Sequence, residues 1–179
     1  MIYRFILVSD EIDDFRRDIT IDSEATFFEL HEAILKATGY GKDQITSFFL
    51  CDEDWSKRAE ITLMEMDSNS EDDIYVMEKC RLSELVGEER QKLIYVFEPL
   101  TERCFFMELR EIILGKNQDK PQVVKSLGTP PEQITFHPEE MDLVVRNTIA
   151  HSDDDEEEED FFDEDIDPEE YDEDDFNDY

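Results

Sequence analysis

The C-terminal 28 residues limit which part of this chain can fold. Residues 152–179 contain nineteen Asp and Glu, no Lys or Arg, and five aromatic residues. Such a stretch buries too little apolar surface to offset the entropy lost on ordering, and its like charges repel one another. We therefore predict a disordered acidic tail at residues 152–179, preceded by a folded body.

The body is acidic in its own right. Residues 1–151 hold the remaining 32 acidic residues and all 17 basic residues, a net charge of −15. Their number suits one domain with its own core. The charge disfavours direct binding to nucleic acid or to an anionic membrane and favours a basic protein or a polycation as partner. The alternative is a purely solubilising role, and the oligomeric state is left open.

The cysteines and the apolar runs bear on the compartment. Cys51, Cys80 and Cys104 are an odd number without a C-x-x-C pair, so neither a disulfide framework nor a zinc site is indicated. The apolar stretch at residues 1–10 is too short for a signal peptide, and no segment has the roughly 18 apolar residues of a membrane span. These features predict a cytoplasmic protein with reduced thiols and without a metal or cofactor.

Local patterns predict one helix among several strands. Thr26 and Glu29 form a capping box before the helical series Phe27, Leu30, Ile34 and Ala37, and Gly39 is placed to end the helix. A single helical turn is predicted at residues 81–86. Strands are predicted at residues 2–8, 17–22, 46–51, 59–66, 92–97 and 104–113.

This order of elements predicts an α+β fold, with a mixed or antiparallel sheet, one main helix across it and a likeness to the β-grasp. Residues 1–115 form the predicted domain, with a polar loop at 67–73. Residues 116–151 are predicted to be a linker and a short helix that starts near Pro138. The turn residues 128–131 favour a loop over residues 116–137.

Six segments resemble the Ri-plasmid open-reading-frame-three-like family. They read FRRDITI at 15–21, TFFELHEAI at 26–34, GY at 39–40, ITSFFL at 45–50, RLSEL at 81–85 and LIYVF at 93–97. The resemblance covers roughly residues 2–114 and stops before the tail, so the tail is expected to be an addition to the shared domain. It implies a compact α+β fold, a bacterial or archaeal origin and an association with mobile elements.

The resemblance brings no established catalytic residue. Some members carry a resolvase-like or insertion-element passenger label, but this chain lacks the basic face and helix-turn-helix that recombination needs. The family's aromatic-Asp-Phe-Gly-Asp-Asp-Trp segment is replaced here by FEPLTER at residues 97–103. A function that depends on that acidic turn is therefore in doubt for this chain.

His31 is the one candidate for a catalytic base. It lies one turn from Phe27 and Ile34 on the predicted helix, where a histidine is more often a hydrogen-bonded core residue. An enzyme using a pocket around His31 and the carboxylates of the sheet is the alternative function.

Three further groups have a structural and a chemical interpretation. Arg16 and Arg17 could bind an anion, but a surface ion pair with a nearby Asp is favoured. Arg103 could activate the Cys104 thiol, although neighbouring strand residues point to opposite faces. The acidic turn at residues 52–55 could hold a hard cation, but it lacks the spacing of a calcium loop, and a solvated turn with Trp55 packed on the core is favoured.

The predicted function is that of a non-enzymatic interaction or accessory protein whose tail meets basic partners. Aromatic side chains among the acids would add apolar contact to the charge attraction. The five tail residues predicted to touch a partner are Phe161, Phe162, Tyr171, Phe176 and Tyr179.

Overall fold

A computed structural model describes residues 1–65 and 74–135. In these two ranges, eight strands and two α-helices follow one another in the order β1, β2, α1, β3, β4, β5, α2, β6, β7, β8. Their bounds are β1 Ile2–Val8, β2 Arg16–Asp22, α1 Phe27–Thr38, β3 Ser47–Cys51, β4 Lys57–Thr62, β5 Ile74–Val76, α2 Leu82–Leu85, β6 Lys92–Glu98, β7 Arg103–Ile113 and β8 Gln122–Leu127. A short 3-10 helix at Pro99–Thr101 joins β6 to β7.

The helix α1 begins and ends where the sequence places its caps. The Thr26 hydroxyl accepts a hydrogen bond from the Glu29 amide at 3.2 Å, and the Glu29 carboxylate accepts one from the Thr26 amide at 2.8 Å. Gly39 follows with φ 76°, and its amide donates to the Leu35 carbonyl. These contacts confirm the predicted capping box and glycine cap. Both caps pair backbone groups at the helix ends that have no partner inside the helix.

All eight strands join one mixed sheet in the order β5-β4-β3-β6-β7-β1-β2-β8. β4 and β5 run parallel, and every other neighbouring pair is antiparallel. The predicted α+β class with a mixed sheet is confirmed, and the likeness to the β-grasp stays a prediction. Within the described residues, no helix is both long and apolar enough to cross a membrane.

Alternation along the strands gives the sheet two different faces. The covered face packs against α1 and holds the main core, with the buried residues Tyr3, Phe5, Leu7, Ile19, Ile21, Phe48, Ile61, Leu93, Tyr95, Phe97, Phe105, Met107 and Leu109. The open face is the opposite side, and its residues include Arg4, Ile6, Val8, Arg16, Asp18, Phe49, Cys51, Ile94, Val96, Cys104, Phe106 and Glu108. A smaller apolar cluster lies on the open face around Cys51, Ile94 and Val96.

One prediction about the segment after residue 115 is wrong. The loop expected over residues 116–137 contains the edge strand β8, which pairs antiparallel with β2. All six β8 residues are exposed, so the strand is held by backbone hydrogen bonds to β2 and has no buried apolar pattern that the sequence would reveal. The three-residue strand β5 was also missed.

Several predictions lie outside the described residues. They are the polar loop at 67–73, the last position of the strand expected at 59–66, the helix expected from Pro138, and the tail at 152–179 with its five aromatic residues. The division of the chain at residue 115 stays a prediction.

Candidate functional site

His31 lies in the core between α1 and the sheet. Only 4% of its surface is exposed. Its Nδ1 atom is 2.8 Å from the Tyr95 hydroxyl and 3.2 Å from the Thr46 hydroxyl. The imidazole is therefore placed by two side-chain hydroxyls, one from β6 and one from the residue just before β3.

The surroundings of His31 keep it neutral at pH 7. Burial lowers its pKa to about 4, a change that the neighbouring Glu32 opposes and Lys42 favours. The same burial raises the pKa of Tyr95 far above its usual value. His31 lines neither of the two pockets described below.

The two arginines of β2 differ in their partners. Arg16 makes a bidentate ion pair with Asp18, with its Nε 2.6 Å and its Nη2 2.9 Å from the carboxylate oxygens. Arg17 is buried and donates to backbone carbonyls, among them those of Ala37 and Gly128. Burial lowers the pKa of Arg17. The ion pair predicted for this dipeptide is thus made by Arg16, while Arg17 ties β2 to the ends of α1 and β8.

The thiols have no activating cation beside them that outweighs their burial. Burial raises the pKa of Cys51, of Cys80 and of Cys104 to about 11 in each case. The Arg103 guanidinium bonds Glu11 and Glu98, at distances from 2.8 to 2.9 Å. A thiol with so high a pKa is protonated at pH 7 and is a poor nucleophile.

The turn at residues 52–55 supports the open face of the sheet. Trp55 has φ 70° and packs edge-on against Phe106, with 5.0 Å between the ring centroids. Lys92 Nζ lies 4.7 Å from the centre of the Trp55 ring. Within residues 1–65 and 74–135, no group of three or more His, Cys, Asp or Glu side chains is arranged to hold a metal ion. Trp55 therefore packs on the smaller cluster of the open face and not on the main core.

The segment at residues 97–103, where the chain departs from the family pattern, has a structural role. Glu98 is buried, and its carboxylate accepts hydrogen bonds from Thr101 at 2.8 Å, from Arg103 at 2.9 Å and from the amide and hydroxyl of Thr135 at 2.9 and 3.0 Å. The Tyr40 hydroxyl donates a hydrogen bond to the Pro131 carbonyl at 2.7 Å. Glu98 thus fastens the last described segment to the sheet.

Two pockets border the open face. The larger, of about 1030 Å³, lies between the β3–β4 turn and residues 83–92, and charged side chains of both signs line it. The smaller, of about 480 Å³, lies over β1, β2 and β7. Its lining residues are Arg4, Ile6, Val8, Arg16, Trp55, Phe106, Met107, Glu108 and Arg110.

Sequence reasoning missed this arginine and aromatic pocket. In the sequence, Arg16 stands out only as half of a dipeptide, and Trp55 only as the end of the acidic turn, while Arg4 and Arg110 lie in other segments of the chain. Alternation along β1 does place Arg4 with Ile6 and Val8 on one face. The pairing that brings β7 and β2 to either side of β1 is not visible in any local pattern.

Comparisons with known proteins identify the family. No curated protein sequence matches the chain. A crystal structure of a protein of unknown function from Methanosarcina mazei Go1 has a similar fold, with a TM-score of 0.56 and 16% identity over 81% of this chain and 88% of that one. The sequence model of the plasmid pRiA4b ORF-3-like proteins matches residues 5–178, so the expectation that the resemblance ends near residue 114 is wrong. The match runs through the acidic tail as well as the sheet, and the chain belongs to the plasmid pRiA4b ORF-3-like protein family.

Proposed function

We propose that this protein is a non-enzymatic interaction or accessory protein whose acidic, aromatic tail binds basic partners. The observation that carries the proposal is the composition of residues 152–179, with nineteen acidic residues, five aromatic residues and no basic one. Charge attraction brings a cationic surface to such a segment, and the aromatic rings add contact area where that surface is also apolar.

The chemistry of the described body supports a binding role. His31, the candidate base, has its Nδ1 beside two hydroxyls in the core and lines neither pocket. The three thiols have raised pKa values and are protonated at neutral pH. His31 and the three cysteines therefore have structural roles in the described body.

The extent of the family match supports including the tail in this function. The family model continues to residue 178, so the acidic segment aligns with sequence that family members share. The tail is therefore not treated as an extension that this chain alone carries. A cytoplasmic location, which the three unpaired cysteines favour, is part of the same proposal.

The test measures binding of two basic probes to the full chain and to a chain that ends at residue 151. One probe is a short poly-L-lysine peptide, and the other is an amphipathic helical peptide of equal charge with a leucine face. We expect both to bind the full chain, to lose most affinity on truncation, and to weaken as salt rises from about 0.05 to about 0.3 M. Equal affinities of the two chains would show that the tail is not the binding element.

A matched variant separates the charges of the tail from its rings. Changing Phe161, Phe162, Tyr171, Phe176 and Tyr179 to Ser keeps all nineteen acids. We expect this variant to bind poly-L-lysine like the full chain and the amphipathic peptide several-fold more weakly, because only the second probe offers an apolar surface. Unchanged affinity for both probes would remove the aromatic residues from the proposal.

A further inference from the structure

The smaller pocket of the open face collects arginines in a chain of net charge −34. Arg4, Arg16 and Arg110 line it, whereas Glu108 is the one acidic side chain that the described part of the chain places in its wall. Lys92 lies over Trp55 at one side, and Lys125 is close enough to Asp18 to help lower the pKa of that carboxyl. The pocket therefore gathers several cationic side chains, each arginine paired with a carboxylate, on a protein that is acidic as a whole.

The guanidinium groups are placed by carboxylates and keep donors to spare. Asp18, with 2% of its side chain exposed, is shared by Arg4 at 3.3 Å and Arg16 at 2.6 Å. Arg4 also bonds Glu111, and Arg110 bonds Glu108 at 3.2 Å. Each guanidinium has five N–H donors, and the Nε of Arg4 is buried without a hydrogen-bond partner among the described residues. Such preplaced forks match the oxygens of a phosphate or carboxylate.

Two local backbone features shape the pocket. The register of β1 against β7 shifts between Arg4 and Phe5, which leaves Arg110 as the extra residue of a β-bulge. Bulges redirect side chains and are frequent beside functional sites. Trp55 has a left-handed backbone conformation that costs a non-glycine residue about 1 to 2 kcal/mol. An observed outlier of this kind supports the hypothesis that the position of the Trp55 ring has a use.

Part of the pocket wall is apolar and aromatic. The Trp55 ring meets the edge of Phe106 at an interplanar angle of 86°, and Ile6 and Val8 extend the apolar surface along β1. A pocket of about 480 Å³ falls within the range of small-molecule sites, which combine apolar walls with a few placed polar groups. An inorganic anion alone would leave this wall unused, and an apolar ring alone would leave the arginines unused.

We propose that the pocket binds a small aromatic anion of the nucleoside monophosphate class. The ring of the ligand contacts Trp55 and Phe106, and its anionic group accepts hydrogen bonds from Arg4, Arg16 and Arg110. A nucleic acid strand is disfavoured as a ligand of this pocket, because its additional phosphates would lie against a strongly acidic protein. This site is independent of the tail, and either proposal can fail without the other.

Trp55 provides the readout, because it is the single tryptophan of the chain. Adenosine monophosphate is titrated into the full chain while Trp55 fluorescence and the heat of binding are recorded. Adenosine, inorganic phosphate and a single-stranded oligonucleotide serve as separate probes. We expect the monophosphate to change the fluorescence saturably, and each of the other three to bind at least tenfold more weakly. No saturable signal from the monophosphate, or equal binding of adenosine, would overturn the proposal.

Two variants place the binding in this pocket. Arg110→Gln removes a half-exposed guanidinium and should raise the dissociation constant for the monophosphate about tenfold, since a hydrogen bond to a charged group is lost. Arg58→Gln is the control, because Arg58 is exposed, pairs with an acid and lines only the larger pocket. Unchanged affinity of Arg110→Gln, or an equal loss in Arg58→Gln, would refute the assignment. A thermal melt of each variant shows that the fold is kept.

Discussion

The two faces of the sheet are built from the same strands but differ in what their side chains do. The covered face meets α1 and contains fully buried aromatic and aliphatic residues with one histidine and two hydroxyls between them. The open face has a small apolar cluster, bordered by arginines, lysines and carboxylates that remain partly exposed. Because strand residues alternate between the faces, each strand contributes to both.

The two faces are expected to contribute differently to folding stability and to ligand binding. Side chains that are fully buried on the covered face lose the most free energy when they are truncated, since a cavity remains. Charged side chains on a partly exposed face contribute little to stability but can still bind a ligand. The residues that hold this fold together are therefore expected to be different from those that contact a ligand, even where they are neighbours in sequence.

The largest contrast is expected at two neighbouring phenylalanines of β7. Phe105 is fully buried on the covered face, whereas Phe106 is partly exposed on the open face. The Phe105 ring lies within 6.4 Å of four others, those of Phe15, Tyr40, Tyr95 and Phe97. We expect Phe105→Ala to lower the free energy of unfolding by about 3 to 5 kcal/mol and Phe106→Ala by about 1 to 2 kcal/mol.

Urea denaturation of both variants beside the parent chain measures this difference. The midpoints give the change in stability, and equal slopes show that the comparison is between two-state transitions. If Phe106→Ala were as costly as Phe105→Ala, the open face would be a second core, and the contrast between the faces would be wrong.

The next effect is the acid sensitivity of the covered face. His31 has a pKa of about 4 in the folded protein and 6.5 as its ordinary value, so the unfolded chain takes up the proton first. The stability that His31 contributes is complete above pH 6.5 and is lost as the pH falls through the folded pKa. The loss amounts to about 3 kcal/mol at its limit.

His31→Asn is the matched variant, since an amide oxygen can accept from the Tyr95 hydroxyl without titrating near neutral pH. Protonation of the many carboxylates affects both proteins alike, so the difference between their unfolding free energies isolates His31. We expect this difference to change between pH 6.5 and pH 4 and to be constant above pH 7. A constant difference throughout would mean that His31 is not held neutral by burial.

What the sequence could predict was mainly local. The capping box at Thr26 and Glu29 and the glycine cap at Gly39 fix α1 because they act within a few residues. The alternation of apolar and polar residues predicted most of the strands, since one face or both faces of those strands are buried. The strand β8 was missed because its residues are all exposed and its pairing with β2 spans about a hundred positions along the chain.

The arginine pocket shows a second limit of sequence reasoning. Arg4 and Arg110 are 106 positions apart and line one pocket because β1 and β7 pair with a shifted register. The net charge of the chain argued against a basic surface, but a mean over all residues does not describe how charges are distributed over one face. The place of His31 on the helix predicts a core residue, whereas its hydroxyl partners, in β6 and just before β3, are not revealed by any helical pattern.

A smaller contrast compares two left-handed glycines. Gly39 at the end of α1 has φ 76° and no atom within 4 Å of the position that a Cβ would take. Gly128 after β8 has φ 63°, and a Cβ there would lie 2.7 Å from the Asp14 carbonyl oxygen. We expect Gly39→Ala to cost about 1 kcal/mol for the backbone conformation alone and Gly128→Ala to cost more.

Thermal unfolding of the two glycine variants checks this order. Both carry the same backbone penalty, so the additional loss in Gly128→Ala reports how firmly the β8 edge is held against the β1–β2 turn. Equal losses would show that this edge shifts easily to admit a methyl group.

The smallest expected effect is the acid response of the open face, where Asp18 joins Arg4 and Arg16. Burial raises the pKa of the Asp18 carboxyl, but its hydrogen bond with Arg16 and the charges of Arg16, Arg4 and Lys125 outweigh this, so the pKa is lowered. A carboxyl with a lowered folded pKa stabilises the protein above its ordinary pKa of about 3.9 and loses that contribution as the pH falls below it. As the pH falls, the open face should therefore lose stability only after His31 has begun to take up its proton.

The variant Asp18→Asn tests this order. Its difference in unfolding free energy from the parent chain should be constant from pH 7 to about pH 4 and should shrink below that. A difference that already shrinks between pH 6.5 and pH 4.5 would mean that the arginines do not hold Asp18 ionised, and the charged triad beneath the pocket would lose its physical basis.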